Sequence, residues 1–225
     1  MFTFDESVGN VCPGMKMGFL VMRGVAPDSA NVQGPREEAE IIAALQQKFG
    51  GMDKQALKAA YPMHIYAAYC KKFGYTYPVL SQLESVLGGK RTLQARFGLL
   101  RAMFLSELNS MLLTAGHDLA QLQLPLCLKV ATGVEGYQSI SGKEVTAVRG
   151  DVMLCDGKGV LSSILRGPDY QSRITSATTD VLFSVYAPPG IDAEYVREDL
   201  RQLERWIVEL SPSSSTEMIG VFAQD

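Results

Sequence analysis

The stretch LLTAGHD, residues 112–118, sets an imidazole beside a carboxylate in a chain that has only two histidines. His117 and Asp118 are residue types that order water or move protons. Side chains adjacent in sequence seldom point at each other, however, so the pair alone is no catalytic dyad. A denser set of polar groups lies downstream in GVLSSILRGPDYQSRITSATTDVLF. There Ser162, Ser163, Arg166, Asp169, Gln171, Ser172, Arg173, Thr175, Ser176, Thr178 and Thr179 form a polar cluster in and around a Gly-Pro-Asp turn. They bring hydroxyl, guanidinium and carboxylate groups to what reads as one edge of a sheet. Such a mixture suits a small polar ligand or a ribose-phosphate end, and equally suits a loop that satisfies its own backbone.

Established catalytic motifs are missing. GYQSISGKE (residues 136–144) has one residue too many between its glycines for a phosphate-binding loop, and Glu144 follows the lysine where Ser or Thr is needed. It reads instead as a hairpin. Arg149-Gly150-Asp151 reads as a turn. There is no G-x-S-x-G, H-E-x-x-H or dinucleotide fingerprint. Cys12, Cys70, Cys127 and Cys155 are far apart with no C-x-x-C pair, so they are expected to be buried free thiols, and no metal or other cofactor is expected.

The elements that must position these groups can be read from periodicity and turn signals. Met1–Phe4 and Met17–Val25 suggest strands on either side of a Cys-Pro-Gly turn. Pro35 and the acids after it start a helix carrying Ile42, Leu45 and Phe49 at helical spacing. Lys54–Phe73 is helical with an interruption at Pro62, and His64 on it is expected to pack in the core or an interface with Leu57, Tyr61 and Ala68. PVLSQLESVL (residues 78–87) is a short helix. Leu93–Leu113 reads as one long apolar helix ending at an LLTAGHD turn.

From Pro125 the rhythm changes to short strands, with Gly142-Lys143 and Asp156-Gly157 as hairpin turns and DVLFSVYA (residues 180–187) as a further strand. DAEYVREDLRQLERWIVEL closes the pattern with one apolar stripe. The expected class is α+β: N-terminal helices packed on a mostly antiparallel β region, with a C-terminal amphipathic helix. A single domain is expected over residues 1–210, with parts at 1–90, 91–191 and 192–210. Residues 211–225 are expected to be a serine-rich linker and tail.

The net charge of −3 argues against a generic nucleic-acid binder, but it is unevenly spread. Residues 90–175 carry ten Lys/Arg against seven Asp/Glu, and residues 176–225 carry three against nine. Any RNA contact should therefore be local to the middle of the chain and salt-sensitive. No apolar run reaches the ~18 residues of a membrane span. MFTFDESVGN lacks the basic start and apolar block of a signal peptide. No membrane association and a cytoplasmic location are expected.

Taken together, LLTAGHDLAQL, ATGVEGYQSISGKEV, GDVMLCDGKGVLSSILRGPDYQSRIT and TTDVLFSVYAPPGI resemble a known module. It is the B3/4 editing module of the phenylalanyl-tRNA synthetase beta chain, and more closely the free-standing proteins made of that module alone. The resemblance is most specific over residues 93–191. It implies recognition of the 3′ end of an aminoacyl-tRNA, or of a related amino-acid ligand, and trans-editing hydrolysis of a mischarged tRNA. On this reading Asp118 is the aspartate closing the helix-to-strand turn and has a structural role. Asp169 is the acidic residue of the editing loop, and Thr178 is the threonine before the final strand.

Asp169 and His117 are then the candidate catalytic residues, with Ser163, Arg166, Arg173, Thr175 and Thr178 as substrate-binding candidates. The family's editing histidine position holds Ala115, and its pocket Thr-Asn pair falls on Met103 and Phe104. Those departures favour the alternative, a non-catalytic module that binds RNA, an amino acid or a protein. A full synthetase is excluded, because the chain has no adenylate-forming motif.

Overall fold

In MGFLVMR and DVLFSVYA nearly every residue is apolar, the pattern of strands buried on both faces. The computed structural model describes residues 2–26, 34–89, 95 and 97–224 and places both stretches at the centre of the molecule. The N-terminal part runs β1 (Phe2–Phe4), α1 (Glu6–Val11), β2 (Lys16–Arg23), α2 (Glu38–Phe49), α3 (Lys54–Ala59), α4 (Met63–Lys72), α5 (Pro78–Leu87) and α6 (Gly98–Ser110). Then come β3 (Leu113–Asp118), a 3-10 turn at Leu119–Gln121, β4 (Leu126–Val130), β5 (Gly136–Gln138), β6 (Glu144–Thr146) and β7 (Val152–Cys155). The chain finishes with β8 (Val160–Ser163), β9 (Gly167–Pro168), β10 (Asp180–Ala187), α7 (Ala193–Leu210) and β11 (Ser215–Ala223).

Among the described residues, two main sheets, a two-stranded antiparallel β5-β6 ribbon and a helical layer result. One sheet has the order β11-β2-β10-β3 and is antiparallel throughout. The other has the order β1-β4-β7-β8-β9, parallel only between β1 and β4. Strand alternation sends Leu20, Met22, Val181, Phe183 and Val185 to the helical side, among Leu105, Leu200 and Trp206. It sends Met17, Phe19, Val21 and Leu182 to the other side, against Leu128, Val152, Leu154 and Leu161 of the second sheet. The fold is α+β with antiparallel pairing dominant, as the sequence predicts.

Particular residues hold these layers together. A Cβ on Gly18 of β2 would lie 2.6 Å from Val196 Cγ1, so α7 seats on the strand only because no side chain intervenes. Gly18→Ala should lower stability by about 1–3 kcal/mol, through overpacking that a thermal melt would register. An unchanged melt would show that α7 can lift at no cost. Between the sheets, the Tyr186 hydroxyl accepts from Leu154 N at 3.0 Å and donates to Ser162 O at 2.9 Å. Tyr186→Phe strands both groups and should cost about 1–3 kcal/mol in denaturant titration. A near-neutral result would mean that β7 and β8 repair their own pairing.

Several expectations need correction. LLTAGHD is not a turn: the helix stops at Ser110, Met111 takes a left-handed φ of 56°, and Leu113–Asp118 form β3. The glycine that suggested a turn is set by packing, since a Cβ on Gly116 would meet Ile174 Cδ1 at 2.9 Å. Leu93, the expected start of that helix, lies outside the described residues.

His64 is exposed rather than packed in the core of this chain. The break at Pro62 separates α3 from α4, so helical spacing does not carry across it, and α4 buries Met63, Tyr66, Tyr69 and Cys70 instead. The segment after 210 is no trailing tail. After the turn at Ser211–Ser214, β11 pairs with β2 from Ser215↔Arg23 to Ala223↔Lys16. Glu6–Val11, too short to show a helical period in sequence, forms a helix capped by the Asp5 side chain on Ser7 N at 2.9 Å.

Candidate functional site

The Gly-Pro-Asp segment closes an edge of the second sheet, and its aspartate is fixed on both sides. Asp169 N donates to Leu161 O at 2.8 Å, and Tyr170 N donates to Gln138 O at 2.8 Å, which locks the turn between β8 and β5. The Asp169 carboxylate then folds over the following residues. Its Oδ2 accepts from Gln171 N and Ser172 N, each at 2.9 Å, and its Oδ1 accepts from the Ser172 hydroxyl.

His117 stands behind this serine. It is fully buried on β3, opposite Leu182 of β10. Its Nδ1 is 2.7 Å from Ser172 Oγ and 3.8 Å from Asp169 Oδ1, the latter too long for a hydrogen bond. An ionised carboxylate only accepts, so Ser172 donates to Asp169 and accepts from the His117 Nδ1–H. His117 Nε2 has no hydrogen-bond partner among the described residues. Burial alone would raise the Asp169 pKa. The His117 and Ser172 contacts outweigh it and hold the carboxyl below its ordinary range.

Beside Asp169 opens a polar cleft of about 140 Å³. Asp169, Gln171 and Ser172 form one wall, Tyr137 and Gln138 a second, and Gln121 with Lys158 the outer rim. The rim is held by Lys158 Nζ, which donates to Gln121 O at 2.5 Å, and by Asp156, which accepts from Lys158 N at 2.7 Å. A cleft of this size takes a small polar head group. An ionised carboxylate in its wall suits an ammonium, and the lysine at its rim suits an anionic or hydroxylated neighbour.

The remaining candidates do not line this cleft. Asp118 and Thr178 meet each other: Thr178 Oγ1 donates to Asp118 Oδ2 at 2.8 Å and accepts from Thr175 N at 2.9 Å. Asp118 also caps the 3-10 turn by accepting from Ala120 N at 3.0 Å, and its own amide donates to Ser172 O at 2.6 Å. These contacts stitch residues 172–178 to the end of β3. Arg173 lies over the Tyr170 ring, 3.6 Å from its centroid, and donates to Tyr170 O. Arg166 is exposed and sits 5.3 Å from the Tyr75 ring centroid. Ser163 is buried and accepts from Arg166 N at 3.1 Å.

Besides Asp169, Gln171 and Ser172 of the polar stretch, the cleft depends on residues that the sequence does not single out, namely Gln121, Tyr137, Gln138 and Lys158. The DGKG hairpin offers the one usable signal, a lysine at the tip of a turn between two strands. Among the described residues, no three His, Cys, Asp or Glu side chains gather to hold a metal ion. No described helix is long and apolar enough to cross a membrane.

No family model and no curated protein matches the chain. Among solved structures it is similar to the crystal structure of an N-terminal fragment of the phenylalanyl-tRNA synthetase beta subunit from Pyrococcus horikoshii, with a TM-score of 0.50 and 12% identity. The likeness is one of fold. The match covers 100% of this chain and 54% of that fragment, so the chain spans about half the fragment's length. At this identity the backbone arrangement is shared, while the side chains of the cleft must be judged on their own chemistry.

Proposed function

We propose that this chain recognises the aminoacylated 3′ end of a tRNA at the Asp169 cleft and hydrolyses the ester when the amino acid is the wrong one. The observation that carries this reading is a carboxylate kept ionised at the wall of a small polar cleft, on a fold similar to a synthetase beta-subunit fragment. The α-ammonium of an aminoacyl ester is a natural partner for Asp169, and Lys158 at the rim faces the ribose and phosphate side. His117 has no surface in the cleft, so its part is to hold Ser172, and through it the carboxylate, in one orientation.

The ester itself is labile, so a positioned water and the neighbouring ribose hydroxyl supply much of the chemistry. Arg166, an exposed cation three residues before Asp169, is assigned to more distant phosphates. The test is a panel of tRNAs charged with cognate and non-cognate amino acids, incubated with purified protein while the remaining ester is followed. Accelerated loss of one mischarged species is expected, and its weakening by salt would mark the phosphate contacts.

A second reading keeps the binding and drops the hydrolysis. Ala115, Met103 and Phe104, which stand where the resemblance calls for polar residues, favour it. Binding of a charged tRNA that remains intact would select this reading, and absence of both binding and hydrolysis would remove both.

A further inference from the structure

The Asp169 cleft has walls that are tied down on both sides, and this limits the amino-acid side chain it can take. On one side, Tyr170 N donates to Gln138 O at 2.8 Å, Ile140 N to Pro168 O at 2.9 Å and Asp169 N to Leu161 O at 2.8 Å. The turn, the end of β5 and β8 are thereby one piece. On the other side, the hairpin between β7 and β8 is bound to the segment after β3. Gly157 N donates to Gln123 O at 2.7 Å, Gln123 N donates to Asp156 Oδ2 at 2.7 Å, and Lys158 Nζ holds Gln121 O.

The apolar part of the lining is equally set. Tyr137, Val160 and Leu161 are each 9% exposed or less, and the Tyr137 hydroxyl donates to Gly167 O at 2.8 Å. Widening the cleft means parting these pairs, so its volume belongs to the fold rather than to the ligand. That volume, about 140 Å³, is close to the ~150 Å³ of an engineered cavity that holds one benzene, six carbon atoms. An aminoacyl group spends about four heavy atoms on its nitrogen, Cα, carbonyl carbon and carbonyl oxygen, which leaves about two for a side chain. Its ester oxygen must lead out past the Lys158 rim to the ribose, and its ammonium faces Asp169. The side chain is then the substituent turned onto Tyr137, Val160 and Leu161.

We infer that the cleft admits esters of the smallest amino acids, glycine, alanine and serine, and rejects those with an aromatic ring, with Tyr137 setting the limit. This inference rests on the reading of the cleft as an aminoacyl-ester site. The three small side chains fit the remaining space. A phenyl or phenol ring alone would fill the room that the ammonium and carbonyl need.

The test is deacylation by the full chain of a set of tRNAs, each charged in turn with glycine, alanine, serine, phenylalanine and tyrosine, with spontaneous hydrolysis subtracted. At least one small ester should be cleaved with a kcat/KM about tenfold or more above either aromatic ester, since a misfit of one methylene group already costs about tenfold. Tyr137→Ala should shrink that ratio about tenfold by admitting the ring. Tyr137→Phe, which keeps the volume, should preserve the ratio. Gln138→Ala widens the neighbouring wall and replaces Tyr137→Ala should that protein fail to fold. If a phenylalanyl or tyrosyl ester is cleaved as fast as the best small ester, the inference is overturned and the editing reading stands. It is also overturned if Tyr137→Ala, or Gln138→Ala in its place, keeps the wild-type ratio. If no ester is cleaved on any tRNA, the editing reading falls and takes this inference with it.

Discussion

Asp169→Asn should lower deacylation of the preferred mischarged tRNA by about 10²-fold, the typical penalty for losing a group that fixes a substrate in its reacting position. The substitution is conservative where structure is concerned. The amide oxygen of asparagine still accepts from Gln171 N and Ser172 N, so the turn between β8 and β5 should survive. What disappears is the negative charge that faces a substrate ammonium. Circular dichroism and melting temperature should therefore stay close to wild type while the rate falls.

Ser172→Ala provides the intermediate case. It removes the hydroxyl between His117 and Asp169 but leaves the charge, so the carboxylate stays in the cleft with a less fixed orientation. A smaller rate loss than for Asp169→Asn is expected, with the larger part in kcat if the orientation matters most in the transition state. Full activity of Asp169→Asn in this assay would remove Asp169 from the mechanism and with it the proposed site.

The two halves of this site are unequally legible in the sequence. Asp169 stands out because Gly-Pro-Asp marks a turn and the flanking residues are polar. Its cleft does not, because the walls come from segments near residues 121, 137, 158 and 170, and no spacing rule links them. The central strands β2 and β10 are readable because burial on both faces makes them continuously apolar.

β3 is hidden by Gly116, which looks like a turn residue until the crowding of Ile174, Met103 and Phe183 around it is taken into account. β11 is hidden by its place at a sheet edge, where STEMIGVFA has no strict alternation and follows a serine-rich stretch. His64 is misplaced when one helical period is drawn through Pro62. In each case the local sequence is ambiguous and a tertiary contact decides it.

Glu107 should make the protein less stable as pH rises from about 5 to 8, which is the reverse of the usual behaviour of a paired carboxylate. Glu107 lies on α6 with 4% exposure, and its Oε1 accepts from Thr114 N at 3.0 Å. Burial, chiefly, and the nearby Asp199 push its pKa up to about 8, against the lowering effect of the Thr114 amide. Burial likewise raises Asp199 to about 7, opposed by the Ser106 and Ser110 hydroxyls.

Between the ordinary carboxylate range and these values the folded state keeps protons that the unfolded state has released. Stability is thus fully present at low pH and is lost as pH climbs through the folded pKa values. The loss is on the order of a few kcal/mol, because each tenfold difference in proton affinity between the two states is worth about 1.4 kcal/mol. Glu107→Gln retains the oxygen that accepts from Thr114 N and has no proton to lose. It should match wild type near pH 5 and melt higher near pH 8, by roughly 5 °C for a gain of about 2 kcal/mol in a chain of this size. Asp199→Asn should flatten the remainder of the slope. A wild-type melting temperature that is level across this range, or a Glu107→Gln protein weakened equally at both ends, would mean that the α6–α7 carboxyls are ionised in the folded chain.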